Sequence, residues 1–268
     1  MGPHPRTAIL YRLGIRLISF DRPGYGESDR MAGRRVADAA ADVLAIADAY
    51  DLKKFAVVGR SGGGPHALAC AALLPDRTTK AAVLVGIAPH GADGLDWFDG
   101  MAQSNVIEFT AAASGYEDIV AHTKVVADAV RANPASLITR LQAELPDSDR
   151  RVVADRGIRS MLIETYAEAL RTSDYGWIDD ALAFCSPWGF DPANVTVPVL
   201  VWHGASDVLS PASHARWLAD RIPGATVVVQ AGAAHFGALD VLPDILRWLS
   251  AGRPDDRGLA KNADWPGG

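Results

Sequence analysis

Two cysteines are all that 268 residues hold, too few for a disulfide-stapled scaffold or a cysteine-rich metal site. Cys70 and Cys185 both sit in apolar, helical-looking stretches and read as buried small hydrophobes in a reducing compartment. No apolar run approaches the roughly 20 residues of a membrane span. The start, Met1-Gly2-Pro3-His4-Pro5-Arg6, lacks the charged-then-apolar pattern of a secretion signal. Basic residues are outnumbered, 26 against 32 acidic ones for a net charge of −6, and form no stripe, so nucleic acid and anionic membrane are poor partners. Neither a Gly-Lys-Ser/Thr phosphate loop nor a correctly placed G-x-G-x-x-G is present. A soluble, cytoplasmic protein acting on a small molecule, with no metal or organic cofactor, is the expectation.

What is there centres on Ala56-Val57-Val58-Gly59-Arg60-Ser61-Gly62-Gly63-Gly64-Pro65. Strand-forming residues run into G-x-S-x-G, and a small-residue helical stretch follows over 66–74. That is the strand, sharp turn and helix of a nucleophile elbow, which holds a serine hydroxyl clear of both flanking elements. Gly59 and Gly63 are expected to be glycine because a Cβ there would strike the neighbouring strand or helix. The amide of Gly62, at the helix start, is the candidate donor to a developing oxyanion. Alone the motif is as often a connecting turn as a catalytic one, and its strand-before, helix-after context raises its weight.

Along the chain, apolar strands alternate with helices. Residues 15–20, 55–58, 80–86, 197–202 and 225–230 read as strands, and 7–13, 36–50, 211–222 and 238–249 as helices. Near-continuous apolar strands between helices imply a doubly wound, mostly parallel α/β sheet covered on both faces. From about residue 90 to 191 strand signals nearly vanish and helices dominate (93–103, 119–132, 135–144, 149–172, 177–184), which reads as a cap folded over the site. The division is therefore core (1–89), cap (90–191), core (192–250) and a polar, turn-rich tail expected to fray (251–268). Most cap aromatics belong to its own core. Trp97 and Trp177, with Arg60 and Phe236 next to the catalytic candidates, are the pocket candidates.

Nucleophilic serine chemistry needs a base and a carboxylate to orient it. Of seven histidines, His235 follows a late strand on the edge where the elbow opens. His66, one turn into the elbow helix, and His203, ending a strand beside Gly204, suit structural roles. Asp207 follows the penultimate strand in a turn-rich loop, and Asp93 is the reserve acid. Ser61, Asp207 and His235 then stand in the order Ser…Asp…His.

Asp21-Arg22-Pro23-Gly24-Tyr25-Gly26-Glu27-Ser28, Gly59-Arg60-Ser61-Gly62-Gly63, His203-Gly204-Ala205-Ser206-Asp207 and Gly232-Ala233-Ala234-His235 together resemble the α/β-hydrolase superfamily over nearly the whole chain. The likeness is nearest to its capped, serine-nucleophile branch. It implies a Ser61–His235–Asp207 triad with Gly62 as one oxyanion donor, and disfavours the aspartate-nucleophile branches. It also implies about three earlier strands and a second oxyanion loop that this chain lacks, so that strand 15–20 would face a gap or pair directly with 55–58. The expectation drawn from this is a start codon set too late, with a partner chain such as a second copy in a homodimer as a candidate shield for the exposed strand edges. The expected function is a serine hydrolase cleaving a small, mostly apolar ester, thioester or amide. The rival is a non-hydrolytic ligand-binding or catalytically impaired protein of the same fold.

Overall fold

The computed structural model describes residues 7–251; the readings made of residues 1–6 and of the tail beyond 251 lie outside them. Four strands form one parallel sheet in the order β1 (Phe55–Arg60), β2 (Thr78–Leu84), β3 (Val199–Gly204), β4 (Thr226–Gln230). α1 (Thr7–Arg12) and α2 (Ala39–Ala49) precede the sheet. α3 (Gly63–Leu73) links β1 to β2.

The alternation of side chains along a strand explains why both faces are covered. Ala81 and Val83 of β2 and Val199 and Val201 of β3 share a cluster with Leu68 and Ala69 of α3. The intervening residues Ala82, Leu84, Leu200 and Trp202 pack on the opposite face. Helices α10 (Ala212–Arg221) and α11 (Ala238–Ser250) take opposite faces, through Ala215 and Leu218 on one side and Ala238, Val241 and Ile245 on the other.

Between β2 and β3 lies a helical insertion of α4 (Gln103–Ser114), α5 (Tyr116–Ala132), α6 (Ser136–Glu144), α7 (Asp147–Ala154), α8 (Arg156–Ala169) and α9 (Tyr175–Cys185). Its own clusters join Val126, Val130, Leu137 and Leu170, and Ile119 with Ile178 and Ala181. Among the described residues no helix is long and apolar enough to cross a membrane.

Three expectations are corrected here. Residues 93–102 form turns and irregular loop rather than a helix, Gly94 and Gly100 both taking φ of +77° in the left-handed region, and the helix begins only at Gln103. The single helix expected over 149–172 breaks at Asp155, whose side chain accepts from the Ile158 amide at 3.0 Å and starts α8 afresh. Residues 15–20 belong to no strand, and β1 is an edge of the sheet. Apolar, β-branched residues make a segment able to extend, whereas a ladder needs a neighbour, and β1 and this segment do not pair.

The loop expected at 21–28 instead docks on the insertion. Asp180 of α9, almost fully buried, takes Arg22, Arg34 (2.6 Å) and the Tyr25 hydroxyl (2.9 Å). Arg30 forks onto Asp179, with two bonds of 2.9 Å. Gly24 at φ +85° lets the two chains meet, since a Cβ there would lie 2.7 Å from the Gly176 nitrogen.

Candidate active site

β1 ends at Arg60 and α3 begins at Gly63, so Ser61 and Gly62 make the whole turn. Ser61 has φ of +53°, a left-handed conformation costing a non-glycine residue about 1–3 kcal/mol that the surroundings must enforce. They do so through the Ser61 amide on the Leu84 carbonyl (2.8 Å) and the Gly64 amide on the Ser61 carbonyl (2.9 Å). Glycine is obligatory at 59, where a Cβ would fall 2.0 Å from the Gly63 carbonyl oxygen. The same argument made for Gly63 fails, because nothing lies within 4 Å of a Cβ there. Gly64 carries that constraint instead, its Cβ meeting Val83 Cγ1 at 2.9 Å and Gly86 Cα at 3.1 Å.

The acid and histidine loops are pressed together at the other end of the site. A Cβ on Gly204 would sit 2.5 Å from Ala234 Cα. The Ala205 and Ser206 amides reach across to the carbonyls of Gln230 (2.9 Å) and Ala233 (3.0 Å). This close approach sets His235 Nδ1 at 2.9 Å from Asp207 Oδ2. Asp207 also accepts from the amides of Leu209 (2.8 Å) and Ser210 (3.1 Å), and the Ser210 hydroxyl oxygen lies 3.2 Å from it. Burial by itself would raise the Asp207 carboxyl. His235 and His203 outweigh it and hold the group below the usual carboxylate range. An ionised Asp207 keeps the proton of His235 on Nδ1 and leaves Nε2 with a free lone pair. Asp93 is exposed and, among the described residues, its carboxylate makes no such pair; its carbonyl accepts from the Trp217 indole at 2.9 Å.

The elbow and the acid loop are tied to consecutive residues. Ser61 hangs from the Leu84 carbonyl, and the Ser210 hydroxyl donates to the Val85 carbonyl at 2.8 Å. Val85 is itself strained, at φ +47°. The Arg60 guanidinium lies 5.2 Å from the Phe236 ring, next to His235. Among the described residues no hydrogen bond joins the Ser61 hydroxyl to His235.

Two residues of the site escaped the sequence reading. Asp149 of α7, its residue fully buried, accepts from the amides of both His235 (3.0 Å) and Phe236 (2.8 Å). The insertion thereby clamps the histidine loop, and no motif in the chain signals it. Ser210 braces Asp207, and the spacing Asp207-x-x-Ser210 of a side-chain-capped turn was the available hint.

The remaining candidates divide. His203 bonds the Ser210 carbonyl at 2.5 Å and lies 3.3 Å from Asp207. His66 bonds the Gly62 carbonyl at 2.8 Å and packs edge-on to Phe184, its pKa lowered to about 4 by burial first and then by Arg22. Trp177 donates to Glu108 at 2.7 Å, and burial pushes the Glu108 carboxyl up to about 7 against the opposing pull of that bond. Trp97, a pocket candidate, instead belongs to the main core: its indole N–H is spent on the Ala88 carbonyl (2.9 Å) and its rings meet Phe109 and His214 edge-on. Two surface grooves of about 470 and 610 Å³ flank α4–α5 and α7, and Ser61 lines neither. Among the described residues no group of three or more His, Cys, Asp or Glu side chains could hold a metal ion.

A family model described as alpha/beta hydrolase fold matches residues 5–240. The chain belongs to the α/β-hydrolase family. A non-heme chloroperoxidase of Streptomyces lividans is 28% identical to this α/β-hydrolase over 243 residues, 87% of this chain and 79% of that one. Among solved structures, esterase RhEst1 from Rhodococcus sp. ECU1013 superposes with a TM-score of 0.59 at 20% identity, covering 91% of this chain and 83% of its own. The enol-lactonase from Burkholderia xenovorans LB400 does so with a TM-score of 0.57 at 21% identity, over 85% and 76%. The likeness to these two structures shows the α/β-hydrolase fold, a parallel sheet flanked by helices.

Proposed function

We propose that this α/β-hydrolase cleaves a small, mostly apolar ester, thioester or amide through an acyl-enzyme on Ser61. The observation that carries the reading is the tie to adjacent residues: the strained Ser61 turn is fixed to Leu84, and the loop of Asp207 and Ser210 to Val85. In this mechanism Nε2 of His235 removes the Ser61 proton as the hydroxyl oxygen attacks the acyl carbon. Asp207, bonded to Nδ1 at 2.9 Å, stabilises the imidazolium that forms. The Gly62 amide at the start of α3 donates to the oxyanion, where the helix dipole also favours negative charge. His235 returns the proton to the leaving group, then activates water to release the acid. The helical insertion serves as the cap that bounds the acyl site.

Fluorophosphonate labelling tests this. Labelling of the wild type on Ser61, abolished in Ser61→Ala, is expected. A wild-type chain that remains unlabelled while folded would refute it. The second reading, a ligand-binding protein without turnover, is favoured by the missing contact between the Ser61 hydroxyl and His235 among the described residues. Ligand-induced thermal stabilisation without hydrolysis of p-nitrophenyl esters would support that one.

A further inference from the structure

We propose that Arg60 is the anion-recognition residue of the Ser61 site, and that the acyl part of the substrate carries a carboxylate; this rests on the serine-hydrolase reading. Arg60 is the last residue of β1 and immediately precedes the nucleophile. Its guanidinium stands over Phe236 of the histidine loop, within electrostatic reach of Tyr166 from α8, Asp149 from α7 and Asp207. Among the described residues it makes no hydrogen bond and no ion pair, and its Nε is closed to solvent without a partner.

Three other arginines find carboxylates, although the Nε of Arg34 is likewise closed without a partner. Arg22 and Arg34 converge on Asp180, and Arg30 forks onto Asp179. Arg60 is half-buried, and Nε is the guanidinium nitrogen closed to solvent. A guanidinium cannot relieve this by losing its proton, and its donors lie in the group's own plane, so Phe236 beneath the face satisfies none of them. Leaving a charged donor unpaired costs more than leaving a neutral one. Neither carboxylate nearby is free to answer it. Asp207 is engaged by His235, Leu209 and Ser210, and Asp149 by the amides of His235 and Phe236.

The acceptor that Arg60 lacks is thus supplied by the ligand. A carboxylate matches the guanidinium fork with two parallel bonds. Because Arg60 adjoins Ser61, that carboxylate belongs to the acyl chain, a few atoms from the scissile carbonyl. The substrate class is a half-ester or half-thioester of a short dicarboxylic acid, apolar between its two ends.

The test compares kcat/KM for mono-4-nitrophenyl glutarate and for 4-nitrophenyl pentanoate, which has the same acyl length and no charge. Wild type should favour the glutarate by about ten- to a hundred-fold, the range expected of charge-assisted bonds, and lose part of that preference at high salt. Arg60→Met should bring the ratio near or below one, with Arg60→Lys between. The ratio is internal to each preparation, so a lowered folded fraction cancels. If Arg60→Met yields no folded protein, the ratios for wild type and Arg60→Lys decide. Wild type that labels with fluorophosphonate yet shows no preference for the glutarate overturns the inference alone. Wild type that fails to label overturns the hydrolase reading, and glutarate binding by calorimetry, present in wild type and lost in Arg60→Met or weakened in Arg60→Lys, then decides for or against the anion site.

Discussion

Asp149 offers the sharpest check on how the helical insertion supports the reaction proposed at the sheet edge. It is the side chain through which α7 holds the amides of His235 (3.0 Å) and Phe236 (2.8 Å). Asp149→Ala leaves two buried amides without an acceptor, each costing about 1–3 kcal/mol, so a loss of roughly 2–6 kcal/mol is expected. For a chain of this size that lowers Tm by about 5–15 °C. Asp149→Asn keeps one acceptor oxygen but turns an NH2 group toward the other amide, and should lose about half as much. The functional loss should exceed what stability explains, because a displacement of about 1 Å at a catalytic group costs on the order of a hundred-fold in rate. Denaturant unfolding gives the first quantity. The rate of fluorophosphonate labelling at a temperature where both variants are folded gives the second. An Asp149→Ala protein within about 0.5 kcal/mol of wild type in unfolding free energy, and labelled at the same rate, would refute the clamp.

Two further outcomes follow from single residues. Glu108 has its carboxyl raised from 4.5 to about 7, chiefly by burial, so the native state holds that proton more tightly than the unfolded chain. The stability this contributes is full below about 4.5, falls as pH climbs to about 7 and stays lost above, an expected change of about 3 kcal/mol. Glu108→Gln should flatten that segment of a denaturation-versus-pH series while still accepting the Trp177 bond; an unchanged slope would show that another group sets it. Gly59→Ala places a Cβ 2.0 Å from the Gly63 carbonyl, so the elbow must shift. Ser61 labelling should fall by more than about ten-fold, whereas Gly63→Ala, with open space around its Cβ, should label within about three-fold of wild type, both judged against the factor of ten per 1.4 kcal/mol. Equal labelling of the two would undo the steric account of the turn.

Local pattern alone determined the parallel architecture, because strands apolar on both faces have no stable place except between helices. It likewise determined the elbow, because G-x-S-x-G after a β-branched run leaves few other conformations to the backbone. Chain order and strand-end context already favoured Asp207 over Asp93, but the pairing itself rests on the histidine loop meeting the acid loop, Gly204 against Ala234. Residues 15–20 had the composition of a strand but no ladder partner, and pairing is a property of two segments. Asp149 was invisible for the same reason, and Arg60, a pocket candidate from its place beside Ser61, gave no sign in the sequence of its missing acceptor. One matters for the amides it accepts from another element, the other for the acceptor that, among the described residues, no element brings to its Nε, and periodicity along a chain records neither. Which side chains end a fold satisfied, and which are left waiting for a ligand, is decided only when distant segments are packed together.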